Sequence, residues 1–324
     1  MPISLNHGAG GEEMNALIKS FREILKIKND WKNMDNDSAT LKIGERELCF
    51  TTDSYVVTPL FFPGGDIGKL AICGTINDLC VMGATPLGIS LSLVIEEGMT
   101  HTDLKKIMSS INTVSVQTEV PVVTGDTKVM EKGKLDKMII NTAGIGFAPI
   151  LFDKPLESGD VILVSGTIGD HTAALLSKRF NFKTSVISDC GPVLIETNSL
   201  RKEIKQAKDI TRGGLAANLN ELAQKNDVII QIKEDELPIQ EEVRSAADLL
   251  GLSIYELACE GRFMCAVSRK NSKLALEKLK KYNVHAKIIG SVRKKNDEPM
   301  VVVKTKFGER ILPMPTGRLI PRIC

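Results

Sequence analysis

An α/β protein (α+β, with mixed sheets) of two domains is the architecture that the sequence predicts. Three observations carry it. Strand-like and helix-like periodicities alternate along the chain, and the alternation restarts after a proline- and charge-bearing stretch at residues 150–159. A length of 324 residues also suits two cores better than one. The expected division is an N-terminal domain over 1–155, a C-terminal α/β domain over 156–312 and a mobile tail over 313–324. No short tandem repeat is present.

The elements follow in order. After His7-Gly-Ala-Gly-Gly11, the spacing of Leu17, Ile18, Phe21, Ile24 and Leu25 predicts a helix from Glu13 to about Ile27, with a polar loop over 29–38. Glu47 to Asp53 reads as a strand ending on a carboxylate. Pro59, Pro63, Gly64 and Gly65 make 58–65 a loop, and Asp66 caps a helix running to about Met82. Residues 87–95 alternate as a half-buried strand does. Leu104, Ile107, Met108, Ile111 and Val114 then keep the 3.6 period of a helix begun at Thr102 or Asp103. A short strand over 120–124 runs into the extended stretch Gly125–Met130, and a further strand spans 137–147.

The second half opens with a strand over 160–165 and a helix over 170–179. Helix-like segments follow at 192–206 and 213–226, then a strand at 228–232 and a helix at 239–250. A last helix over 273–282 precedes strands at 286–293 and 299–305.

Composition excludes several function classes. A net charge of +2 with interleaved signs and an aromatic content of 4% leave neither a basic footprint nor stacking rings for nucleic acid. The N-terminal residues carry no signal pattern, and no apolar run is long enough to span a bilayer, so no membrane role is expected. Seven cysteines stand at 49, 73, 80, 190, 259, 265 and 324, without a Cys-x-x-Cys pair or zinc spacing. An odd count points to reduced thiols and a cytoplasmic location. Six lie in apolar or helical contexts and are expected in the core. Only Cys324 stands apart.

It ends a segment, Pro313 to Cys324, in which Pro313, Pro315, Gly317 and Pro321 oppose both helix and central strand. Twelve extended residues reach roughly 40 Å, far enough to travel between a partner and an internal pocket. Taken alone, such a segment is a frayed end whose last residue happens to be a thiol.

Neither a P-loop nor a Rossmann fingerprint is present. Carboxylates nevertheless recur at the ends of predicted elements: Asp53, Asp78, Asp126 and Asp209. Grouped carboxylates together with phosphates are the usual way to hold Mg²⁺. Lys128 faces the same side as Asp126 on an extended stretch and would neutralise phosphate charge. Gly213 and Gly214 open a helix whose backbone N–H groups would suit a phosphate. Each piece has a bland reading as cap or turn, and spacing alone does not make them converge.

His7–Gly11, Thr52–Tyr55, Pro63–Gly68, Asn77–Ala84, Gly125–Val129, Asp209–Leu215, Cys259–Arg262 and the terminal Pro-Arg-Ile-Cys together resemble the HypE family of hydrogenase maturation factors. That family belongs to the ATP-binding superfamily of aminoimidazole ribonucleotide synthetase and selenophosphate synthetase. The resemblance runs through the whole chain, and the Pro-Arg-Ile-Cys end is its most specific part. Ile210 departs from the expected proline, which bears on loop stiffness.

The resemblance implies an ATP-dependent carbamoyl dehydratase. A carbamoyltransferase, HypF, would load Cys324, and ATP would drive dehydration of the S-carboxamide to an S-cyanide. The cyanide would then pass to iron on a HypC–HypD complex. It implies that the N-terminal domain binds ATP and Mg²⁺ and pairs into a homodimer barrel. By the same resemblance, Cys324, Lys128 and Glu260 are catalytic, with Glu260 removing N–H protons; its bland reading is a strand-end carboxylate paired with Arg262. Gly10, Gly11, Asp53, Asn77, Asp78, Asp126, Asp209, Gly213 and Gly214 would bind the nucleotide, and Asp53, Asp78, Asp126 and Asp209 the metal. Three alternatives stay open: a selenophosphate-synthetase-like enzyme, which gives Cys324 no task, a non-catalytic thiol carrier, and a thiol-tailed scaffold that dimerises on oxidation.

Overall fold

The computed structural model describes residues 2–25, 30–294, 298–316, 320 and 322–324. Ile27, the expected end of the first helix, and Gly317 and Pro321 of the tail lie outside them.

The first half is α1 (Glu12–Ile24), β1 (Ala39–Ile43), β2 (Arg46–Tyr55), β3 (Phe61–Phe62), β4 (Gly65–Asp66), α2 (Ile67–Val81), β5 (Thr85–Glu96), α3 (His101–Thr118), β6 (Val122–Met130) and β7 (Met138–Ala148). Strands pair in the order β1-β2-β7-β5-β6, antiparallel except β5–β6. Asp66 caps α2 as expected, its carboxylate accepting from the N–H groups of Gly68 and Lys69. One expectation about α2 is too narrow. The helix is buried nearly all round, because β2 and β7 cover one side while α5 and β9 of the second half cover another.

The second half is β8 (Val161–Val164), α4 (Asp170–Phe180), α5 (Leu194–Ser199), β9 (Ile204–Asp209), α6 (Gly214–Asn226), β10 (Ile229–Lys233), α7 (Glu241–Leu250), β11 (Phe263–Val267), α8 (Ser272–Lys280), β12 (Lys287–Arg293), β13 (Met300–Thr305) and β14 (Gly308–Leu312). Its sheet runs β14-β13-β10-β12-β8-β11-β9. Mixed sheets in both halves bear out the fold class.

Several elements differ from expectation, among them β1, which was not expected, and α5, which is shorter than the segment 192–206. Residues 204–209 form β9 rather than the end of a helix. Its charged and amide side chains are buried because each meets a partner from afar: Lys205 pairs with Asp160 at 2.8 Å and Lys208 with Asp37 at 2.9 Å, while Gln206 donates to the carbonyl of Lys154 at 2.9 Å. No local period announces such a strand. Strand β11, buried along its whole length, and β14 were likewise not expected. Strand β6 continues to Met130, because Gly125 lets it close on β5: a Cβ there would stand 2.2 Å from the carbonyl oxygen of Leu91. The stretch 150–159 is packed rather than loose, with Phe152 in the core and Asp153 paired to Lys225 at 2.5 Å.

Candidate active site

The C-terminal end of β2, the middle of α2, the turn after β9 and the turn before β11 converge on one small cavity. Asp53, Tyr55, Gly74, Asp78, Asp209, Arg212, Glu260 and Cys324 all line it. Gly74 makes the convergence possible, since a Cβ at that position would stand 2.2 Å from the Tyr55 hydroxyl. That hydroxyl donates to Asp53 at 3.1 Å, and Thr51 on the same strand donates to Asp78 at 2.6 Å. The cavity that remains is about 30 Å³, the share of roughly one water molecule.

Four carboxylates in so little space repel one another. Burial pushes Asp78 well above the usual carboxylate range, and Asp53 and Asp209 push it further. Asp209 is raised the same way, by burial and then by Asp37 and Asp53. Burial also raises Glu260, followed by Asp209 and Asp189, with Arg212 opposing. Its Oε1 is buried without a hydrogen-bond partner among the described residues. The backbone around it is locked: Asp189 accepts the N–H groups of Glu260 at 3.2 Å and Gly261 at 3.1 Å. Glu260 does not pair with Arg262, which donates instead to the Gly261 carbonyl at 2.8 Å.

Cys324 is half-buried and sits inside this ring, while the other six cysteines are buried as expected. Burial pushes its thiol up to about 12, opposed by Arg212 and reinforced by Glu260. The described end of the tail is docked. The N–H groups of Thr58 and Val56 donate to the carbonyls of Arg322 at 3.3 Å and Cys324 at 3.1 Å. Arg322 donates to the Val56 carbonyl at 2.8 Å and pairs with Asp136. His171 donates to the Ile323 carbonyl at 2.8 Å.

Asp126 and Lys128 do not join this site within one chain. They pair with each other at 3.3 Å on the exposed edge strand β6. Asp53 aligns with Thr142 on β7, Thr142 with Leu91 on β5, and Leu91 with Gly125 on β6. Three strand spacings of about 4.8 Å therefore leave roughly 14 Å between Asp53 and Asp126. Asn77 also departs from expectation. Its amide is used between the two halves, donating to the Gly191 carbonyl at 3.1 Å and accepting from the Val193 N–H at 2.9 Å. Its Nδ2 also lies 3.4 Å from the Glu260 carbonyl, so the side chain is a strut between the halves.

Gly213 and Gly214 do open α6, yet two N–H groups of its first turn are already taken. Gly214 donates to Thr211 and Ala216 to Tyr255. Gly10 and Gly11 lie between the site and the tail, where a Cβ would stand 2.9 Å from Arg212 and 2.5 Å from the Pro315 carbonyl respectively. The Gly8–Gly11 loop is therefore placed beside Arg212 rather than over an open surface.

Sequence reasoning missed Arg212, Tyr55, Asp189 and His171. Arg212 had a signal, a cation beside a glycine pair at a helix start. Asp189 and His171 had none, because each acts on a residue far away in the chain, whereas Tyr55 bonds its near neighbour Asp53.

The two-domain fold and its carboxylate-lined cleft define a class, the AIR synthase related proteins. Residues 35–148 match the family described as "AIR synthase related protein, N-terminal domain", and residues 157–303 match its C-terminal counterpart. The chain is 40% identical to carbamoyl dehydratase HypE of Rhizobium leguminosarum bv. viciae, covering 99% of this chain and 95% of that one. A crystal structure of a HypE–HypF complex superposes with a TM-score of 0.84 at 38% identity, covering 92% and 99% of the two chains. A structure of HypE in complex with ATP superposes with a TM-score of 0.83 at 36% identity over the full length of both. This chain belongs to the HypE family, the carbamoyl dehydratases of hydrogenase maturation, and is an enzyme of that kind.

Proposed function

We propose that Cys324 carries the carboxamide that is dehydrated and that Glu260 and Arg212 act on it. The observation that supports this reading most is the docked thiol beside the unpartnered Oε1 of Glu260, in a cavity sized for a small group. An amide oxygen leaves poorly. Transfer of the terminal phosphoryl group of ATP to that oxygen, with loss of one N–H proton, turns it into a phosphate leaving group. Glu260 then takes the second N–H proton, the nitrogen electron pair forms the third C–N bond, and the C–O bond breaks to release phosphate. The thiol keeps its carbon throughout, and the products are S-cyanide, ADP and phosphate. Arg212 faces the charge that grows on the oxygen.

The donor set suits Mg²⁺ brought by a nucleotide. Asp53, Asp78 and Asp209 crowd like charge that a cation would relieve, and burial with that repulsion raises Asp78 and Asp209. No group of three donors among the described residues is close enough to hold an ion unaided, so phosphate oxygens would complete the shell. When bound there, the ion would neutralise charge on the phosphoryl group in transfer. Asp53, Asp78 and Asp209 would hold it.

Lys128 and Asp126 are proposed to act from a second copy of the chain. Strand β6 is exposed along its length, with Val123 at 63% and Val129 at 68%, and homodimerisation through this sheet would cover them. HypF is the proposed donor of the carbamoyl group, by likeness to the HypE–HypF structure. A HypC–HypD complex is the proposed cyanide acceptor. Seven free cysteines fit a reducing compartment, the cytoplasm, and no helix among the described residues is long and apolar enough to cross a membrane.

The test is direct. The chain S-carbamoylated at Cys324 is given Mg·ATP, and its C-terminal peptide is followed by mass spectrometry. The expected result is loss of one water mass with formation of ADP and phosphate. An unchanged mass while ATP is bound would overturn the reading.

A further inference from the structure

A main-chain oxygen of each of residues 322–324 is held. The Arg322 oxygen accepts from the Thr58 N–H at 3.3 Å and from Arg179 at 3.0 Å. The Ile323 oxygen accepts from His171 Nε2 at 2.8 Å, and the Cys324 oxygen from the Val56 N–H at 3.1 Å. His171 and Arg179 stand two turns apart on α4, aligned with successive residues of the tail. Arg179 also donates to the Thr58 carbonyl at 2.7 Å, which ties the helix to the segment that flanks the tail.

The tautomer of His171 follows from its partners. A carbonyl can only accept, so Nε2 carries the proton. Nδ1, 2.8 Å from Ser188 Oγ, must then accept from that hydroxyl. Ser188 Oγ in turn accepts the Cys190 N–H at 3.0 Å. The Phe62 ring meets the imidazole edge-on at 5.2 Å and holds its plane. Every polar atom of this relay is used, and its open end points at the tail.

We infer that His171 and Arg179 are positioning residues, forming a backbone-reading dock that fixes the tail's register so that only the last residue reaches Glu260. With the Val56 N–H on the next main-chain oxygen, three consecutive positions are clamped and the Cys324 side chain is the one left at the cavity. A thiol one residue earlier or later would miss the cavity. The significance for dehydration rests on the reading of Cys324 as the carrier; the dock itself does not.

Cys324 is its own probe, since the other six cysteines are buried. The full chain, without ATP or carbamoyl group, is treated with iodoacetamide at neutral pH, and alkylation of the terminal peptide is timed. Asn places its amide nitrogen where imidazole Nδ1 lies, too short to reach the tail, whereas Gln places one near Nε2. His171→Asn should speed alkylation about tenfold, the loss of one buried hydrogen bond. His171→Gln should stay within about threefold of the wild type on the same scale, and Arg179→Met should also speed it. Equal rates for His171→Asn and wild type would overturn the dock, as would equal acceleration by Asn and Gln. If His171→Asn melts early by circular dichroism, Arg179→Met decides, and an unchanged rate there is equally fatal. A glycine inserted between Ile323 and Cys324 should abolish dehydration, and a wild-type rate would refute the register. A wild-type chain that alkylates slowly yet never dehydrates would count against the dehydratase reading and not against the dock.

Discussion

His171 Nε2 donates to the carbonyl oxygen of Ile323 over 2.8 Å, joining positions 152 residues apart. The bond closes the site from behind, because the residue after Ile323 is the thiol that faces Glu260. The acceptor role of Nδ1 toward the Ser188 hydroxyl requires a neutral imidazole. Burial pushes His171 down to about 4, below its ordinary value of 6.5.

Stability should therefore depend on pH through this residue. With a folded value below the unfolded one, the unfolded chain binds more protons, so the contribution is fully present above about 6.5 and is lost as pH falls toward 4. The loss should reach about 3 kcal/mol. Raised carboxylates titrate with the opposite sign, so the quantity to measure is a difference. Urea unfolding of wild type and His171→Gln across this range should show the wild type losing ground as pH falls; parallel curves would refute the assignment.

Glu260→Gln keeps the volume and removes the base. Dehydration should fall by about 10² to 10⁴, with nucleotide binding retained. Because burial first, and then Asp209, raise the Glu260 carboxyl, wild-type activity should be lost on acidification at a pH above the ordinary glutamate range. Single-turnover rates against pH check both statements.

Arg212→Met should slow dehydration by about 10² while leaving the melting temperature close to that of wild type. The guanidinium faces Cys324, Asp53 and Glu260, and Cys324 is the first cause holding it above the ordinary arginine range. A normal rate would remove Arg212 from the chemistry.

Lys128→Met and Cys324→Ser should each be inactive alone, yet mixed dimers of the two should recover activity. The reason is that Lys128 stands on the outer strand β6, more than roughly 14 Å of sheet from Asp53 of its own chain. Mass spectrometry of the carbamoylated tail in the mixture reads the outcome. No recovery would show that Lys128 acts within its own chain or that the copies do not share sites.

Gly74→Ala should destabilise by about 1–3 kcal/mol, because its Cβ would fall 2.2 Å from the Tyr55 hydroxyl. Adding Tyr55→Phe should restore part of the loss. Thermal melts of the single and double variants measure the coupling.

Much of the architecture was legible because local physics produces it. The Asp66 cap, the 3.6 periods of α1 and α3 and the alternation of β5 are short-range signals, and each matches the structure within a few residues. Strand β9 was not legible. Lys205, Gln206 and Lys208 are polar, and only partners brought by folding make them fit to be buried.

The site divides along the same line. The sequence by itself determined the chemical inventory: a terminal thiol, carboxylates at element ends, a glycine loop and the HypE motifs. Tertiary structure alone decided which of these meet. Asp53, Asp78, Asp209, Glu260 and Cys324 share one cavity, while Asn77 is used between the two halves and Lys128 stands on an outer strand. Arg212 and His171 entered only there. Convergence depends on strand register and on which helix covers which sheet, both set by contacts between residues distant in the chain, and no local spacing encodes them.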